Sequence, residues 1–599
     1  MKVKRLFVLL PVAVVATAVS WAAGAHHSAI SCSRDSYPTQ TLTSSANIPE
    51  GAEPIYRFVN LSDTHILDDE ASPAITGNYL ETAFEPGLGN GSAQRLQEEY
   101  TDEVLNAMVK TINHCDGIKD LSLMIATGDL TDNMTLNETR RYIDNLDGVS
   151  GAPTAYEANC GYTTNDSRGV PKLGVGPCTA DMRARFRTAT GALVADSQAP
   201  EPNENDPTYA LTPTRSARQL AETYMASQLG GSHHTAPGLP GSLRCTDGSL
   251  GCDNRALAVP HYAVFGNHDA SVRGTLTMQQ PFQAGAATFG RYFFESQREF
   301  INEWFYTTAV PGPVGHGFNE VGSTRLNDLN DRNDGYYAFD AAGGQVRMIV
   351  INTIFDGVNA DLHRKGATNS QTGGLVAGNE VTPAPATSEQ GFFDQEQYDW
   401  LKGELEAPSN AGKAAIVFSH HPDRSFSYEQ FGSKSPAALN GLLGSSTNVV
   451  NVMAHIAGHT HENVIRACTP AACSIKGTVS ATVARPFWRI ETASLIDFPQ
   501  EGRIVEIFKL SDGRYALKLS MIAPDPADLT ASISHRLSLA EANCTTSAIL
   551  GGPLNSGPYT QQRLQNSLAA GEAAVRGNYC QGLDKAQGDA LDRDTILLP

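Results

Sequence analysis

Short apolar runs that end in polar residues recur along this chain of 599 residues. Runs of this length, rich in valine, isoleucine and aromatic residues, are typical of strands in a buried sheet. They predict strands at 55–61, 121–126, 261–265, 414–419 and 449–457. Helical spacing of apolar residues predicts helices at 94–112, 135–146 and 388–407. Strands that alternate with helices in this way predict an α/β layout.

The remaining apolar segments predict further β-structure. Residues 335–353 have the pattern of a hairpin that turns at Gly343 and Gly344. Four later segments with β-like composition are expected to form a second sheet, and they cover 463–477, 486–495, 503–510 and 514–523.

Two stretches lack this regular alternation. From about residue 148 to residue 254 the chain is rich in Gly, Pro, Ser, Thr and Asn, which predicts a long insertion in a domain that spans 55–525. The tail, 526–599, contains helical patterns around 537–546 and 560–577, and we expect a C-terminal helical extension there.

The first 25 residues have the layout of a secretory signal peptide. Lys2, Lys4 and Arg5 precede an uncharged apolar run, and small residues follow it up to Ala25. Cleavage after Ala25 would leave a polar leader at 26–54, whereas the alternative is an uncleaved N-terminal anchor. No later run is long and apolar enough to span a bilayer, so we expect an exported protein, either secreted or in the periplasm or cell envelope.

Charge and cysteine content narrow the candidate partners. The formal net charge is −20, and a binder of duplex nucleic acid needs a basic face, so we expect no duplex nucleic acid as a partner. In an exported chain the ten cysteines are disulfide candidates, and no CxxC pair favours a metal site instead. Cysteines that could close local loops are Cys160/Cys178, Cys245/Cys252, Cys468/Cys473 and Cys544/Cys580, which leaves Cys32 and Cys115 as a possible fifth pair.

Five short motifs place Asp, Asn or His directly after a predicted strand, where open α/β sheets build their sites. They are LSDTH with Asp63 and His65, ATGDLTDN with Asp129, FGNHDA with Asn267, His268 and Asp269, VFSHHPD with His420 and His421, and AGHTH with His459 and His461. Each motif alone is typical of an ordinary turn or cap. Six of the sixteen histidines fall in these motifs, however, which favours one shared site.

This set of side chains suits the hydrolysis of a phosphate ester. Two metal ions about 3.5–4 Å apart can generate the nucleophile, neutralise the phosphoryl oxygens and stabilise the leaving oxygen. Carboxylates can bridge two cations, and imidazoles and an amide oxygen can complete their shells. In an extended segment, residues i and i+2 point the same way, so His459 and His461 are expected to aim together at one cluster.

In their order along the chain, the motifs D-x-H, GD, GNHD, H and GHTH resemble the signature of the calcineurin-like metallophosphoesterases. The resemblance covers roughly residues 55–510 and implies a four-layer sandwich of two mixed β-sheets flanked by helices. Residues 487–507 resemble the strand segment after the last motif in an exported bacterial branch of this family, where Trp488 and Phe498 are expected in the core.

Carried over residue by residue, the resemblance implies two ions that share Asp129 as a bridging ligand. It implies one ion held by Asp63, His65, Asp129 and His461, and a second held by Asp129, Asn267, His420 and His459. A hydroxide between the ions would attack phosphorus. His268 would contact the phosphate and protonate the leaving oxygen, and Asp269 would orient His268. Mixed nitrogen and oxygen ligands favour divalent or mixed-valence Mn, Fe, Zn, Co or Ni over Ca or Mg.

Of the neighbours His420 and His421, the resemblance implies that His420 is the ligand, and only one of them is expected to reach the metals because neighbouring residues of a strand point to opposite faces. Asn267, His268 and Arg424 are candidate contacts of the substrate. His233, His234 and Asn352 could also line the mouth of the site, but each is more typical of an exposed loop.

The substrate is expected to be a small phosphate ester, either a monoester or a diester. Purple acid phosphatases carry a tyrosine at the position of Asp132, so a tyrosinate-ligated ferric site is not expected. The stretch GDLTDN is similar to the motif of cyclic-nucleotide phosphodiesterase-like members. Two alternatives remain at the sequence level: a secreted metal-binding protein that has lost turnover, and a nuclease or cyclic-nucleotide phosphodiesterase.

Overall fold

A computed structural model of the chain describes two large sheets, four α-helices and all five motifs. The described residues are 30–42, 47–67, 97, 100–147, 162–165, 171–173, 257–271, 274, 297, 300–301, 304–306, 311–321, 335–354, 390–426, 433–475, 479–528, 531–532, 534–535, 538–539 and 586–599. The predicted signal peptide, most of the predicted insertion, His233 and His234 lie outside these ranges, as do almost all residues of the two helical patterns predicted in the tail.

Four helices and seventeen strands are described. The helices are α1 (Thr101–Lys119), α2 (Leu136–Asp147), α3 (Gln395–Glu406) and α4 (Pro436–Leu443). The first nine strands are β1 (Thr39–Thr41), β2 (Tyr56–Leu61), β3 (Leu123–Ala126), β4 (Tyr162–Asn165), β5 (Pro171–Leu173), β6 (His261–Ala263), β7 (Tyr337–Ala341), β8 (Val346–Val350) and β9 (Ala414–Phe418). The others are β10 (Asn451–Ala457), β11 (Val464–Cys468), β12 (Ser474–Ile475), β13 (Val479–Ser480), β14 (Phe487–Glu491), β15 (Gly502–Lys509), β16 (Tyr515–Ile522) and β17 (Thr595–Leu598).

Two mixed sheets contain most of these strands. The seven-stranded sheet has the order β1-β17-β16-β15-β2-β3-β6, and β2, β3 and β6 run parallel to one another. The six-stranded sheet has the order β11-β14-β10-β9-β8-β7, and β8, β9, β10 and β14 run parallel. Two short antiparallel pairs, β4 with β5 and β12 with β13, lie outside both sheets. The predicted mixture of strands and helices is therefore confirmed.

The four late β-segments do not form a sheet of their own, so that prediction was wrong. Strands β11 and β14 extend the six-stranded sheet, whereas β15 and β16 join the seven-stranded sheet beside β2. The apolar pattern of a strand reports that its faces are buried, but it does not say which neighbour the strand will pair with.

The main core lies between the two sheets. Phe58 of β2 meets Phe418 of β9 there, with ring centroids 5.9 Å apart. Alternate residues of β9 point to opposite sides: Phe418 belongs to this core, while Val417 belongs to a second cluster. The second cluster packs against α3 and α4 through Leu401, Leu405, Leu439, Leu442 and Leu443. Trp488 and Phe498 are buried, as predicted.

Two predicted helices are placed differently in the structure. Helix α1 runs to Lys119, seven residues beyond its predicted end, and stops at Asp120, whose φ is 55°. Helix α3 begins at Gln395 and not at 388, because the Asp394 side chain caps it by accepting a hydrogen bond from the Gln397 backbone at 2.8 Å. The hairpin at 335–353 is confirmed as β7 and β8, and Gly343 in its turn has φ 61°.

The leader and the tail both contribute strands to the seven-stranded sheet. Strand β17, at the end of a tail that was expected to be helical, lies between β1 and β16 and pairs in parallel with β1 of the leader. A disulfide between Cys32 and Cys115 ties the leader to α1, and a second joins Cys468 to Cys473. The other three proposed cysteine pairs lie outside the described residues. Among the described helices, none is both long and apolar enough to cross a bilayer.

Candidate metal centre

The five motifs meet at one end of the two sheets. Strands β2, β3 and β6 end just before Asp63, Asp129 and Asn267, and strands β9 and β10 end just before His420 and His459. The motifs therefore form two halves. The seven-stranded half contains Asp63, His65, Asp129, Asn267 and His268, and the six-stranded half contains His420, His421, His459 and His461.

Asp129 lies at the centre of the cluster. Its Oδ1 accepts a hydrogen bond from the His268 backbone N–H at 2.8 Å, which fixes the carboxylate. Its Oδ2 faces three imidazole Nε2 atoms, at 3.2 Å from His420, 3.7 Å from His65 and 3.9 Å from His268. One oxygen is thus anchored, and the other is presented to side chains of both halves.

Asp63 is held in the same manner. Its Oδ2 accepts hydrogen bonds from the His459 backbone N–H at 2.9 Å and from the Ser62 hydroxyl. Its Oδ1 lies 3.2 Å from Nε2 of His461 and 3.9 Å from Nε2 of His65. This oxygen is buried and makes no hydrogen bond of acceptable geometry within the described part of the chain. A buried carboxylate oxygen without a hydrogen-bond donor is available to bind a cation.

Three of the imidazoles are oriented by partners behind them. Nδ1 of His420 donates to the Thr127 carbonyl at 2.9 Å, and Nδ1 of His65 lies 3.1 Å from Oδ1 of Asp132. Nδ1 of His461 is hydrogen-bonded to the Asp497 carboxylate. Because each Nδ1 is engaged, each Nε2 is turned toward the cluster, which is the usual arrangement of histidines that bind metals.

Asn267 completes the second group. Its amide nitrogen donates to the Gly274 carbonyl at 3.0 Å, which turns Oδ1 inward. Oδ1 lies 2.8 Å from Nε2 of His420 and 3.2 Å from Nδ1 of His459. An amide oxygen and two imidazoles therefore converge next to Asp129.

These side chains could hold metal ions. In four overlapping groups, three ligand atoms lie within 4.8 Å of one another: His420/His421/His459, Asp63/His65/His461, His65/Asp129/His268 and Asp63/Asp129/His420. Almost all of these residues are buried. A buried set of imidazoles, carboxylates and an amide oxygen fits a transition-metal ion.

The carboxylates and imidazoles of the cluster shift one another's pKa values. Burial alone would raise the pKa of Asp63, but His461 and His420 outweigh it and lower the pKa to about 2. Burial likewise opposes the charges of His420 and His461, yet Asp129 and Asp63 respectively raise the pKa of each to about 9. Burial and the neighbouring His420 lower the pKa of His459 to about 3, so this ring is neutral.

The backbone of the motifs is not extended, so the reason given for a shared direction of residues i and i+2 was wrong, although Asp63 and His65 do meet in one group. Asp63, His65, Asp129, His459 and His461 all have positive φ, between 48° and 69°. This region is unfavourable for residues other than glycine, and it recurs at functional sites. In this conformation His459 faces Asn267, whereas His461 faces Asp63, so the two imidazoles serve different groups.

Two glycines allow the motif loops to approach each other. A Cβ at Gly266 would lie 2.0 Å from the backbone nitrogen of Asp129. A Cβ at Gly458 would lie 1.7 Å from Oγ of Ser62. Only a residue without a side chain fits at either position.

The contacts described for the Asp269 carboxylate are with the motif loops, and its role in orienting His268 stays a prediction. The carboxylate accepts hydrogen bonds from the backbone of Gly266, Leu130 and Thr131 at 2.8–3.0 Å, so it joins the second and third motifs. Asp132 lies beside His268. Nδ1 of His268 lies 2.9 Å from the Asp132 carbonyl and 3.3 Å from its carboxylate.

Arg424 is paired with two carboxylates of the protein, and its role as a substrate contact stays a prediction. Its guanidinium is paired with Glu491 at 2.7 Å and with Glu462 at 2.9 Å. Asn352 is buried and connects β8 to α3, because its backbone N–H donates to Oε1 of Gln397 at 2.6 Å.

His421 also lies at the cluster, although only His420 was expected there. The strand-alternation argument does not apply, because β9 ends at Phe418. Nδ1 of His421 lies 3.0 Å from Oγ1 of Thr353, and its ring centroid is 4.3 Å from that of His459. Both neighbouring histidines therefore lie at the cluster.

Sequence reasoning missed several residues that support the site. Asp132 stands within the second motif, three residues after Asp129, so its place in the same loop was a usable signal. Asp497 and Glu491 lie on the segment after the last motif, and neither has a spacing that relates it to the histidines it supports. Only the folded chain brings them there.

No protein-family model matches this chain, and no curated protein matches it either. The resemblance to metallophosphoesterases therefore depends on the five motifs and on the geometry that unites them.

Proposed function

We propose that this protein is a metal-dependent phosphoesterase that hydrolyses small phosphate monoesters or diesters, and that its two sheets form the four-layer metallophosphoesterase sandwich. One observation carries the proposal: Oδ2 of Asp129 lies 3.2–3.9 Å from imidazoles of both halves while Oδ1 is anchored. A carboxylate presented in this way is suited to bridging two cations.

Two groups of side chains would hold the ions. Asp63, His65 and His461 share one side of Asp129, and Asn267, His420 and His459 share the other. When bound, two divalent transition-metal ions, of the Mn, Fe, Zn, Co or Ni class, would supply a nucleophile at neutral pH and neutralise the phosphoryl oxygens.

His268 is proposed to act on the substrate directly. A carbonyl oxygen only accepts hydrogen bonds, so Nδ1 of His268 carries the hydrogen that reaches the Asp132 carbonyl. Nε2 faces Oδ2 of Asp129 at 3.9 Å, and we assign it the contact with the phosphate and the donation of a proton to the leaving oxygen. Asp132, next to Nδ1, would hold the ring in this orientation.

The disulfides fit the proposal that the protein works outside the cytoplasm. Cys32–Cys115 closes a loop of 83 residues, and such bonds persist in oxidising compartments. Together with the predicted signal peptide, this supports a phosphoesterase of the periplasm, the cell envelope or the medium.

The direct test is hydrolysis of p-nitrophenyl phosphate, bis-p-nitrophenyl phosphate and cyclic nucleotides by the purified protein. We expect turnover of at least one of them, its loss with a chelator and its recovery with Mn²⁺ or Zn²⁺. Mass spectrometry of the metal content accompanies the assay. A protein that carries two metal ions and hydrolyses none of these esters would instead support a metal-binding protein without turnover.

A further inference from the structure

Arg424 is held between two buried carboxylates. Its Nε and Nη2 donate to Oε2 of Glu491 at 3.0 and 2.7 Å, and Nη2 also donates to Oε2 of Glu462 at 2.9 Å. Glu491 and Glu462 are only 5% and 6% exposed. Burial opposes the charge on Arg424, but Glu491 and Glu462 outweigh it and raise the pKa of Arg424. The guanidinium is therefore a permanent charge in this place.

The same carboxylate reaches the loop between two candidate ligands. Oε2 of Glu491 accepts a hydrogen bond from the Thr460 hydroxyl at 2.7 Å. Thr460 stands between His459 and His461, and Glu462 follows them. We call Arg424, Thr460, Glu462 and Glu491 the arginine cluster. Two of its members thus belong to the loop that carries both histidines.

Strand β14 contributes ion pairs that hold the arginine cluster in place. Arg489 and Glu491 are two residues apart on β14, and residues with this spacing point to the same side of a strand. Arg489 pairs with Asp423 at 2.8 Å, while Glu491 pairs with Arg424. Asp423 and Arg424 are neighbours in one turn, and both are therefore fixed to β14 by ion pairs, Asp423 by Arg489 and Arg424 by Glu491.

This arrangement joins the loops of two histidines in the second group. Arg424 lies four residues after His420, and Thr460 lies one residue after His459. Both histidines approach Asn267 Oδ1, at 2.8 and 3.2 Å. His461 differs from them because the Asp497 carboxylate orients it independently.

On the basis of the proposed function, we infer that the arginine cluster positions His420 against His459 and so sets the affinity of the second metal ion, held by Asp129, Asn267, His420 and His459. The first group, with Asp63, His65 and His461, has its own supports in Asp132 and Asp497. Loss of the cluster therefore weakens the second ion selectively.

The test is a titration of the full chain with Mn²⁺. Calorimetry gives the number of ions and the two stepwise dissociation constants, and electron paramagnetic resonance distinguishes one isolated Mn²⁺ from a coupled pair. The variants are Arg424→Met and Thr460→Val. The matched control is Arg347→Met. Arg347 lies on β8, away from the arginine cluster, and pairs with Glu404 of α3 at 2.9 Å.

We expect the wild-type chain and Arg347→Met to bind two ions with the same affinities. In Arg424→Met the second ion should bind about 10–100-fold more weakly, the usual loss for a residue that supports a ligand, while the first changes by less than about threefold. Thr460→Val should show a smaller loss in the same direction. It leaves the buried ion pairs intact, so it carries the test if Arg424→Met does not fold. The double variant Arg424→Met/Glu491→Gln also avoids leaving Glu491 charged without its partner.

The outcomes separate the two proposals. Suppose that the wild type binds two ions. If the folded variants then keep the affinity of the second ion, or lose affinity equally for both ions, the role of the arginine cluster is overturned and the proposed function is not. Fewer than two ions on the wild-type chain would contradict the proposed function, and this inference with it.

Discussion

The two halves of the candidate metal centre are held in place differently. In the seven-stranded half, backbone hydrogen bonds of 3.0 Å join residues 63–66 to residues 128–132, from Asp63 to Gly128, His65 to Asp129 and Ile66 to Leu130. In the six-stranded half, residues 459–462 are fixed largely through side chains, because Thr460, His461 and Glu462 bond to Glu491, Asp497 and Arg424.

This difference predicts that the two halves respond differently to substitutions. Backbone hydrogen bonds between strand-end loops do not depend on side-chain identity, so the seven-stranded half should tolerate most substitutions that keep its glycines and spare the candidate ligands, His268, Asp132 and Asp269. Side-chain contacts depend on individual residues, so the six-stranded half should respond to single changes away from the ligands. Its buried carboxylates are costly when they lose a partner.

Asp129→Asn should have the largest effect, because this carboxylate serves both halves. An amide cannot bridge two cations as a carboxylate does, so we expect loss of both metal ions and a fall in hydrolysis of about a thousandfold, equivalent to about 4 kcal/mol. Metal content by mass spectrometry and turnover of p-nitrophenyl phosphate measure the two effects. Asp512→Asn, on the surface beside Arg514, is the control. Retention of both ions would contradict a bridging role.

His268→Ala should separate chemistry from metal binding within the seven-stranded half. We expect both ions to remain, while kcat falls by about 10²-fold, at the lower end of the usual range for loss of a general acid. His114→Ala, at an exposed position of α1, should change neither quantity. Metal loss in His268→Ala with a normal rate per bound pair would make His268 a ligand.

Gly266→Ala and Gly458→Ala compare the rigidity of the two halves. The new Cβ at 266 would meet the backbone of Asp129 at 2.0 Å, whereas at 458 it would meet two side-chain oxygens, Oγ of Ser62 at 1.7 Å and Oδ2 of Asp63 at 2.5 Å, which shift more easily than backbone. We expect Gly266→Ala to lower the free energy of unfolding by about 3 kcal/mol and Gly458→Ala by about 1 kcal/mol, at the two ends of the usual range for overpacking. Chemical denaturation measures both.

The control is Gly117→Ala in α1, where a Cβ would meet no atom within 4 Å. Alanine is favoured over glycine in a helix, so this variant should be neutral or slightly stabilised. Equal losses in Gly266→Ala and Gly458→Ala would remove the proposed difference in rigidity.

His261 supplies a reference outside both halves. Burial lowers its pKa to about 3 from the ordinary 6.5, and its ring stacks on His316 with centroids 3.6 Å apart. The folded state therefore binds fewer protons than the unfolded state, so the stabilising contribution is full above pH 6.5 and is lost as the pH falls toward 3. Between pH 6.5 and 5.5 the loss is about 1 kcal/mol.

His261→Phe should remove this loss, because phenylalanine does not titrate. Denaturation of both proteins at pH 5.5 and 6.5, with a chelator present, measures the difference in slope without a contribution from metal binding. Equal slopes would show that His261 is not the source of acid sensitivity.

The sequence predicted many of the elements that carry the site, and it predicted which side chains gather there. The runs at 55–61 and 414–419 became β2 and β9, because strands buried on both faces leave a clear apolar signal. All seven predicted ligands converge, because each follows the carboxyl end of a strand. The partners of β15 and β16 and the strands of the leader and tail were not predicted correctly, and the sequence did not reveal the contacts that Asp269 and Arg424 make with the protein itself.

Those differences share a physical reason. Strand ends and motif residues are local properties of the chain, set by hydrophobic alternation and by the residue types that chemistry requires. Pairing across hundreds of residues, as between β1 and β17, follows from the packing of the whole chain. The sequence by itself determined that carboxylates and imidazoles follow buried strands. Only the tertiary structure decided that Asp132, Asp497 and Glu491 stand behind them, because distant segments become neighbours only when the two sheets pack together.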